Sequence, residues 1–258
     1  ISWVLITEDF TYKIKKPVKF AFVNFLSRED RHHFCHEELR LNRRLAPDIY
    51  LAVVPVTTNR RCQEWSIDVA PGPQDEVVDW AVKMKTFRFS TLDLAEQISP
   101  NTMDALADSI AQFHANESPI PAKQVHGSAK EIARNALDNL KELAEKLPQN
   151  ETLAALSDWT QQQLERLSPF FSDRKSLGFV KECHGDLHLA NIAFGDNGPI
   201  IFDCIEFSEG LRSIDVINEV AFLHMDLIAH GHTALAWRFI NRWCERTGGY
   251  AGLAGLTF

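Results

Sequence analysis

The chain has 258 residues, enough for one large domain or two lobes sharing a cleft, and its 45% hydrophobic and 24% charged content is ordinary for a globular protein. A net charge of −8 and a pI near 5.7 disfavour a nucleic-acid partner, whose phosphates call for a basic face, while remaining compatible with a cationic substrate. No apolar run approaches the roughly 20 residues of a membrane helix, no signal pattern opens the chain, and five scattered cysteines without a CxxC pair exclude a disulfide framework and fit a reducing cytoplasm.

Residues 3–6 and 10–14 are rich in β-branched and aromatic types and predict strands joined by the turn Thr7-Glu8-Asp9. A helix over about 28–45 follows, with Ser27 as its cap and Pro47 as its stop. Strands are expected at 49–56, 64–69 and 77–84, the last two separated by Pro71-Gly72-Pro73. From about residue 90 the pattern turns helical. Ser99-Pro100 starts a helix striped by Met103, Leu106, Ile110 and Phe113. A second stripe carries Ile132, Ala136, Leu140, Leu143 and Leu147, and a third Leu153, Leu156, Trp159, Leu164 and Leu167, all read as core packing. A strand is expected at 177–181, then two more at 192–194 and 199–202 around the turn Gly195-Asp196-Asn197-Gly198, then helices at 214–229 and 232–246. The sum is an α+β chain with a sheet-rich first part (1–86) and a larger helical second part (87–258).

The chemistry concentrates in CHGDLHLAN, residues 183–191, and in IIFDCIEF, where Asp203 lies twelve residues beyond Asn191. Two ionised carboxylates about 4 Å apart repel by roughly 4 kcal/mol at an effective dielectric of 20, so a site gathering Asp186 and Asp203 must raise a pKa or bind a cation. Asn191 adds a neutral carbonyl oxygen of the hard type that suits Mg²⁺, an ion that takes one or two protein carboxylates and completes its shell with water and phosphate. The spacing His-x-Asp-x-x-x-x-Asn is that of phosphoryl-transfer catalytic loops, in which the Asp receives the substrate hydroxyl proton and the Asn binds metal. Each element alone is weak, since a buried Asp is more often a loop cap. The ordered set of Asp, Asn, turn, strand and Asp is much more specific.

CHGDLHLANIAF with IIFDCIEF resembles the Brenner-type loop of the aminoglycoside phosphotransferase and choline kinase family. EELRLNRRLAPDIYLAVVPV, VVDWAVKMKTF, IAQFHA and IDVINEVAFLHMDL are similar to one bacterial branch of aminoglycoside phosphotransferase-like proteins. The resemblance implies a bilobal protein-kinase-like fold, with a small N-terminal antiparallel β lobe and a larger, mainly helical C-terminal lobe. It implies ATP and Mg²⁺ as cofactors and a small-molecule hydroxyl as acceptor. It also implies a fused or partner P-loop kinase domain, which relatives often carry downstream. On it, Asp186 is the base, and Asn191 and Asp203 are the metal ligands. The ATP-contacting lysine is Lys13, with Lys15 as the alternative. Its acidic partner is Glu38, with Glu37 as the alternative, and Met84 lies in the hinge segment 81–85 that meets adenine. His184 braces the loop, and Asp215 supports it from the next helix.

The chain departs from the pattern in places. No glycine occurs between Ile1 and Pro71, so the glycine-rich phosphate cover is absent. Only twelve residues precede Lys13, so the first lobe is expected to be abbreviated or to lack residues, and relatives continue beyond Phe258. These departures motivate a second reading, an inactive pseudokinase domain regulating a partner. A third, a metallophosphoesterase built on His184, Asp186 and His188, needs further ligands on other loops that the sequence does not supply.

Overall fold

The computed structural model describes residues 1–20, 22–87, 98–195 and 198–258. The expected onset of helix near residue 90 and the turn residues Asp196 and Asn197 lie outside them. In chain order the described elements are β1 (Ser2–Ile6), β2 (Phe10–Lys15), β3 (Lys19–Phe20), β4 (Val23–Asn24), α1 (Arg28–Asn42), β5 (Tyr50–Asn59), β6 (Trp65–Ile67), β7 (Asp75–Lys85), α2 (Pro100–Asn116), α3 (Ala129–Lys146), α4 (Glu151–Ser176), β8 (Val180–Glu182), β9 (Ile192–Gly195), β10 (Gly198–Ile201), α5 (Glu209–Arg212), β11 (Ser213–Asp215), α6 (Val216–Ala229) and α7 (Thr233–Thr247). They form two compact units that interleave in sequence: residues 1–102 with 188–208, and residues 103–187 with 209–258.

The first unit is built on a five-stranded antiparallel sheet in the order β1-β2-β7-β5-β6. Strand β2 explains its own placement. Alternation sends Tyr12 and Ile14 to one face, where they pack with Val54, Val56 and Ala81, and leaves Lys13 and Lys15 on the other. Helix α1 covers that second face. Ser27 accepts the Asp30 N–H at its start, and Arg31, Cys35, Glu38 and Asn42 follow a helical period along its buried side. A polar stripe turned inward is unusual, and each member has a partner: Arg31 lies 2.9 Å from Asp79 on β7, and Asn42 meets the backbone of residues 38 and 204. Hairpin β9–β10 belongs to the same unit.

The second unit is mainly helical. The α2 stripe is buried as its spacing requires, from Met103 to His114. Helices α3 and α4 pack against each other, with Leu164, Leu167 and Phe171 set on Ile132 and Ala136. Their stripes are only partly core, because a two-helix hairpin buries only the strip facing its partner, and Leu143, Leu147, Leu156 and Trp159 remain 40–50% exposed. Helix α4 also runs nine residues past the expected stripe, through Pro169 to Ser176. Proline removes one N–H but does not end a helix whose next turns bury Phe171 and Arg174. The strand expected at 177–181 therefore begins later, at Val180, where it pairs with β11.

Candidate functional site

In the first unit, the inward face of β2 and the buried side of α1 bring two lysines to one carboxylate. Lys13 Nζ lies 2.8 Å from Glu38 Oε1, and Lys15 Nζ lies 2.8 Å from Glu38 Oε2. Each lysine has a second acid: Lys13 is paired with Asp203, and Lys15 with Glu206. Lys15 is fully buried, with its ammonium 5.1 Å from the Phe25 ring centroid. Burial pushes the Glu38 carboxyl up, but the two lysines overcome that and hold it at about 2. Burial likewise pulls Lys13 down, and Glu38 with Asp203 reverses this and raises it well above the usual lysine range. Glu206 goes the other way, its carboxyl raised chiefly by burial despite Lys15. Glu37 faces outward and pairs with Arg40 on the helix surface.

Hairpin β9–β10 brings together the segments that carry Asn191 and Asp203. Ile192 pairs with Ile201, so the residue before β9 adjoins the residue after β10, and Phe202 donates its N–H to the Asn191 carbonyl at 3.0 Å. The Asn191 side-chain amide lies 3.2 Å from His188 Nε2, and His188 Nδ1 accepts the Ala190 N–H, which fixes the short turn before the strand. Asp203 has φ of +66°, a left-handed conformation that Asp adopts more readily than most residues. Its N–H donates to the Tyr50 hydroxyl, the Cys204 N–H donates to Asn42 Oδ1, and the carboxylate stays 45% exposed. Met84 is buried among Ile49, Tyr50 and Val82 and is paired on both sides, by Thr11 of β2 and Tyr50 of β5.

In the second unit, Asp186 sits on a loop held by residues distant in sequence. Glu219 on α6 accepts the N–H groups of His184 and Gly185 at 2.5 and 3.0 Å. Its other oxygen lies 2.6 Å from His114 Nε2 of α2, and Trp243 of α7 donates to His114 Nδ1 at 3.1 Å. Because Nδ1 accepts from the indole, the imidazole proton facing Glu219 is on Nε2. Burial pushes the Glu219 carboxyl up, and these donors outweigh it, so the group lies below the usual range. Gly185 has φ of +87°, and a Cβ there would meet the Leu211 carbonyl at 2.9 Å, so the loop requires glycine. His184 Nδ1 accepts the Asp186 N–H at 3.2 Å, which braces the loop from within. Asp215, expected to support the loop, caps α6 and pairs with both Arg174 donors at 2.6 and 2.7 Å.

Sequence reasoning thus missed Glu219, whose only signal is an acid inside the apolar run of α6, and the pairing of Glu206 with Lys15. The second unit also holds a cavity of about 510 Å³ with Asp186 in its wall. His114, Cys183 and Glu219 cluster closely enough to suggest a metal centre. Their atoms are instead satisfied by one another, by Trp243 and by backbone groups, with Cys183 Sγ on the Ile214 carbonyl.

A family model described as the phosphotransferase enzyme family matches residues 11–256. The uncharacterized protein Rv2004c of Mycobacterium tuberculosis is 28% identical over 248 residues, covering 95% of this chain and 48% of that protein. The chain therefore spans about half the length of the curated relatives it matches. Among solved structures it is similar to the aminoglycoside phosphotransferase APH(3'')-Id of Streptomyces rimosus in complex with ADP and streptomycin, at 16% identity and a TM-score of 0.43 over 97% of this chain and 87% of that one. It is also similar to APH(2'')-IIia in its GDP and kanamycin complex, at 14% identity and a TM-score of 0.45 over 100% and 81%.

Proposed function

This chain belongs to the phosphotransferase enzyme family, and from that premise we propose that it is an ATP- and Mg²⁺-dependent kinase acting on the hydroxyl of a small molecule. The observation that carries the reading is the Lys13 ammonium held between Glu38 and Asp203. A part-buried strand lysine, held by a helix glutamate and paired with a half-exposed aspartate, supports a role in meeting phosphate oxygens beside a metal site. The donor set suits Mg²⁺: Asn191 and Asp203 are hard oxygen donors, one neutral and one anionic, carried just outside the paired ends of one hairpin, and the Asp203 carboxylate is 45% exposed. When bound, the ion neutralises charge on the phosphate oxygens, with Asn191 and Asp203 as its protein ligands.

The remaining roles belong to the chain itself. Lys13 binds the nucleotide phosphates, and Glu38 keeps it oriented. Met84 lends apolar surface to the adenine. Asp186 accepts the proton of the acceptor hydroxyl as that oxygen bonds to the γ-phosphorus and the bridging P–O bond to ADP breaks. A base so placed contributes about 10²- to 10⁴-fold.

The test is Mg²⁺–ATP consumption over a panel of hydroxylated metabolites and aminoglycosides, with Asp186→Ala as control. Turnover with at least one acceptor, falling about a hundredfold or more in the variant, is the expected result. Unchanged transfer by the variant removes Asp186 from the chemistry. The turn Thr7-Glu8-Asp9, which offers no glycine to cover phosphates, favours the pseudokinase alternative. Nucleotide binding without turnover across the panel would select it.

A further inference from the structure

We infer that the acceptor is an uncharged hydroxylated molecule with an apolar face, such as a sugar bearing an aryl or alkyl group, and not a polycation. The inference rests on the kinase reading only for the word acceptor; the binding chemistry stands on the cavity itself. That cavity, about 510 Å³, lies wholly within the helical unit and is of the size that takes small ligands.

Three carboxylates line it, and two are already engaged. Asp215 receives both donors of Arg174, and Glu219 is shared by His114 and two backbone N–H groups. The third, Asp186, is the group assigned to the hydroxyl proton. A molecule carrying several ammonium groups would bury them without dedicated counter-charges, at a cost of several kcal/mol per ion. The acid surplus of the whole chain is thus not available in this cavity.

What the cavity does present is amide and hydrocarbon. Asn135 and Asn139 stand one turn apart on α3, and Asn218 stands on α6. Each amide both donates and accepts, which matches neutral hydroxyls. The same wall includes Leu211 and Phe222, large apolar side chains 41% and 39% exposed. An apolar ligand face would cover them, whereas a fully hydrated ligand would leave them wet.

The experiment measures nucleotide-free binding to the wild-type chain by saturation-transfer NMR, with 4-nitrophenyl β-glucoside, octyl β-glucoside, kanamycin and choline as probes. Saturable binding of a substituted glucoside, weakened about tenfold in Phe222→Ala, is expected, with no competition from kanamycin or choline. Asn139→Ala, on an exposed helix surface, provides a second variant with the same expected direction should Phe222→Ala fail to fold. Tighter binding of kanamycin or choline than of both glucosides overturns the inference, as does the absence of saturable binding by either glucoside. Mg²⁺–ATP consumption separates the two readings. Phosphorylated kanamycin would overturn this inference and uphold the kinase, while a bound but never phosphorylated glucoside would do the reverse.

Discussion

Glu38 is the residue on which the first unit's electrostatics turn. It is fully buried, serves two ammonium groups and is held at about 2 because Lys13 and Lys15 outweigh its desolvation. A carboxyl depressed in the folded state stabilises it above its unfolded value, near 4.5, and that contribution disappears as pH falls from there towards 2. Glu38→Gln is expected to cost about 3–5 kcal/mol at neutral pH, since it leaves buried charges without their partner. Urea unfolding of both proteins should show the gap closing between pH 4.5 and 2; a constant gap over that range would mean that the ionised carboxylate is not what stabilises the pair. The sequence could single out Asp186, Asn191 and Asp203 as a candidate set because their spacing is local. It could offer Lys13 and Lys15 only as alternatives, since both lie on one strand face, and the structure gives both to Glu38. Glu219 was illegible for the opposite reason: the amides it accepts are 34 and 35 residues away.

Elements with a long hydrophobic period were readable, and short ones were not. The α2 stripe corresponds to observed burial, whereas β2 alternates in its contacts, Tyr12 and Ile14 joining the cluster of Val54, Val56 and Ala81 and Lys13 and Lys15 meeting Glu38, and not in its burial. The two-residue strands β3 and β4 carry too few positions to show a period. Helix α6 shows what an element adds beyond packing, because its buried acid fixes a loop from another part of the chain. Glu219→Gln keeps the shape and removes the charge that holds two N–H donors, and a hydrogen bond to a charged group contributes about 1.5–3 kcal/mol. If the loop positions Asp186, kcat should fall about tenfold or more while the KM for ATP holds, because the residues proposed to meet the nucleotide, Lys13, Glu38 and Met84, lie in the other unit. Steady-state kinetics beside a melting curve decide the matter. A loss of thermal stability with kcat unchanged would make Glu219 structural only.

At the scale of the whole molecule, the interleaving of residues 188–208 with the sheet unit could not be read from local pattern, because it depends on contacts between segments far apart in sequence. The same scale exposes a liability that composition hides. In the sheet order β1-β2-β7-β5-β6, strand β1 has a partner on one side only among the described residues, and it carries Trp3, Val4, Leu5 and Ile6 at 46–71% exposure. An open edge with unpaired N–H and C=O groups and apolar side chains on both faces is a template for pairing with another chain. The net charge of −8 opposes association at long range, but salt screens it beyond about 10 Å at 0.1 M. The protein is therefore expected to self-associate as concentration and salt rise. Leu5→Lys places a charge on the edge away from the site, as Leu5 is paired with Tyr12, whose side chain lies on the sheet face opposite Lys13. Light scattering should show the variant remaining monomeric where the wild type grows, with melting temperature unchanged; equal growth of the two would acquit this edge and direct attention to Trp65, 69% exposed on the opposite edge strand β6.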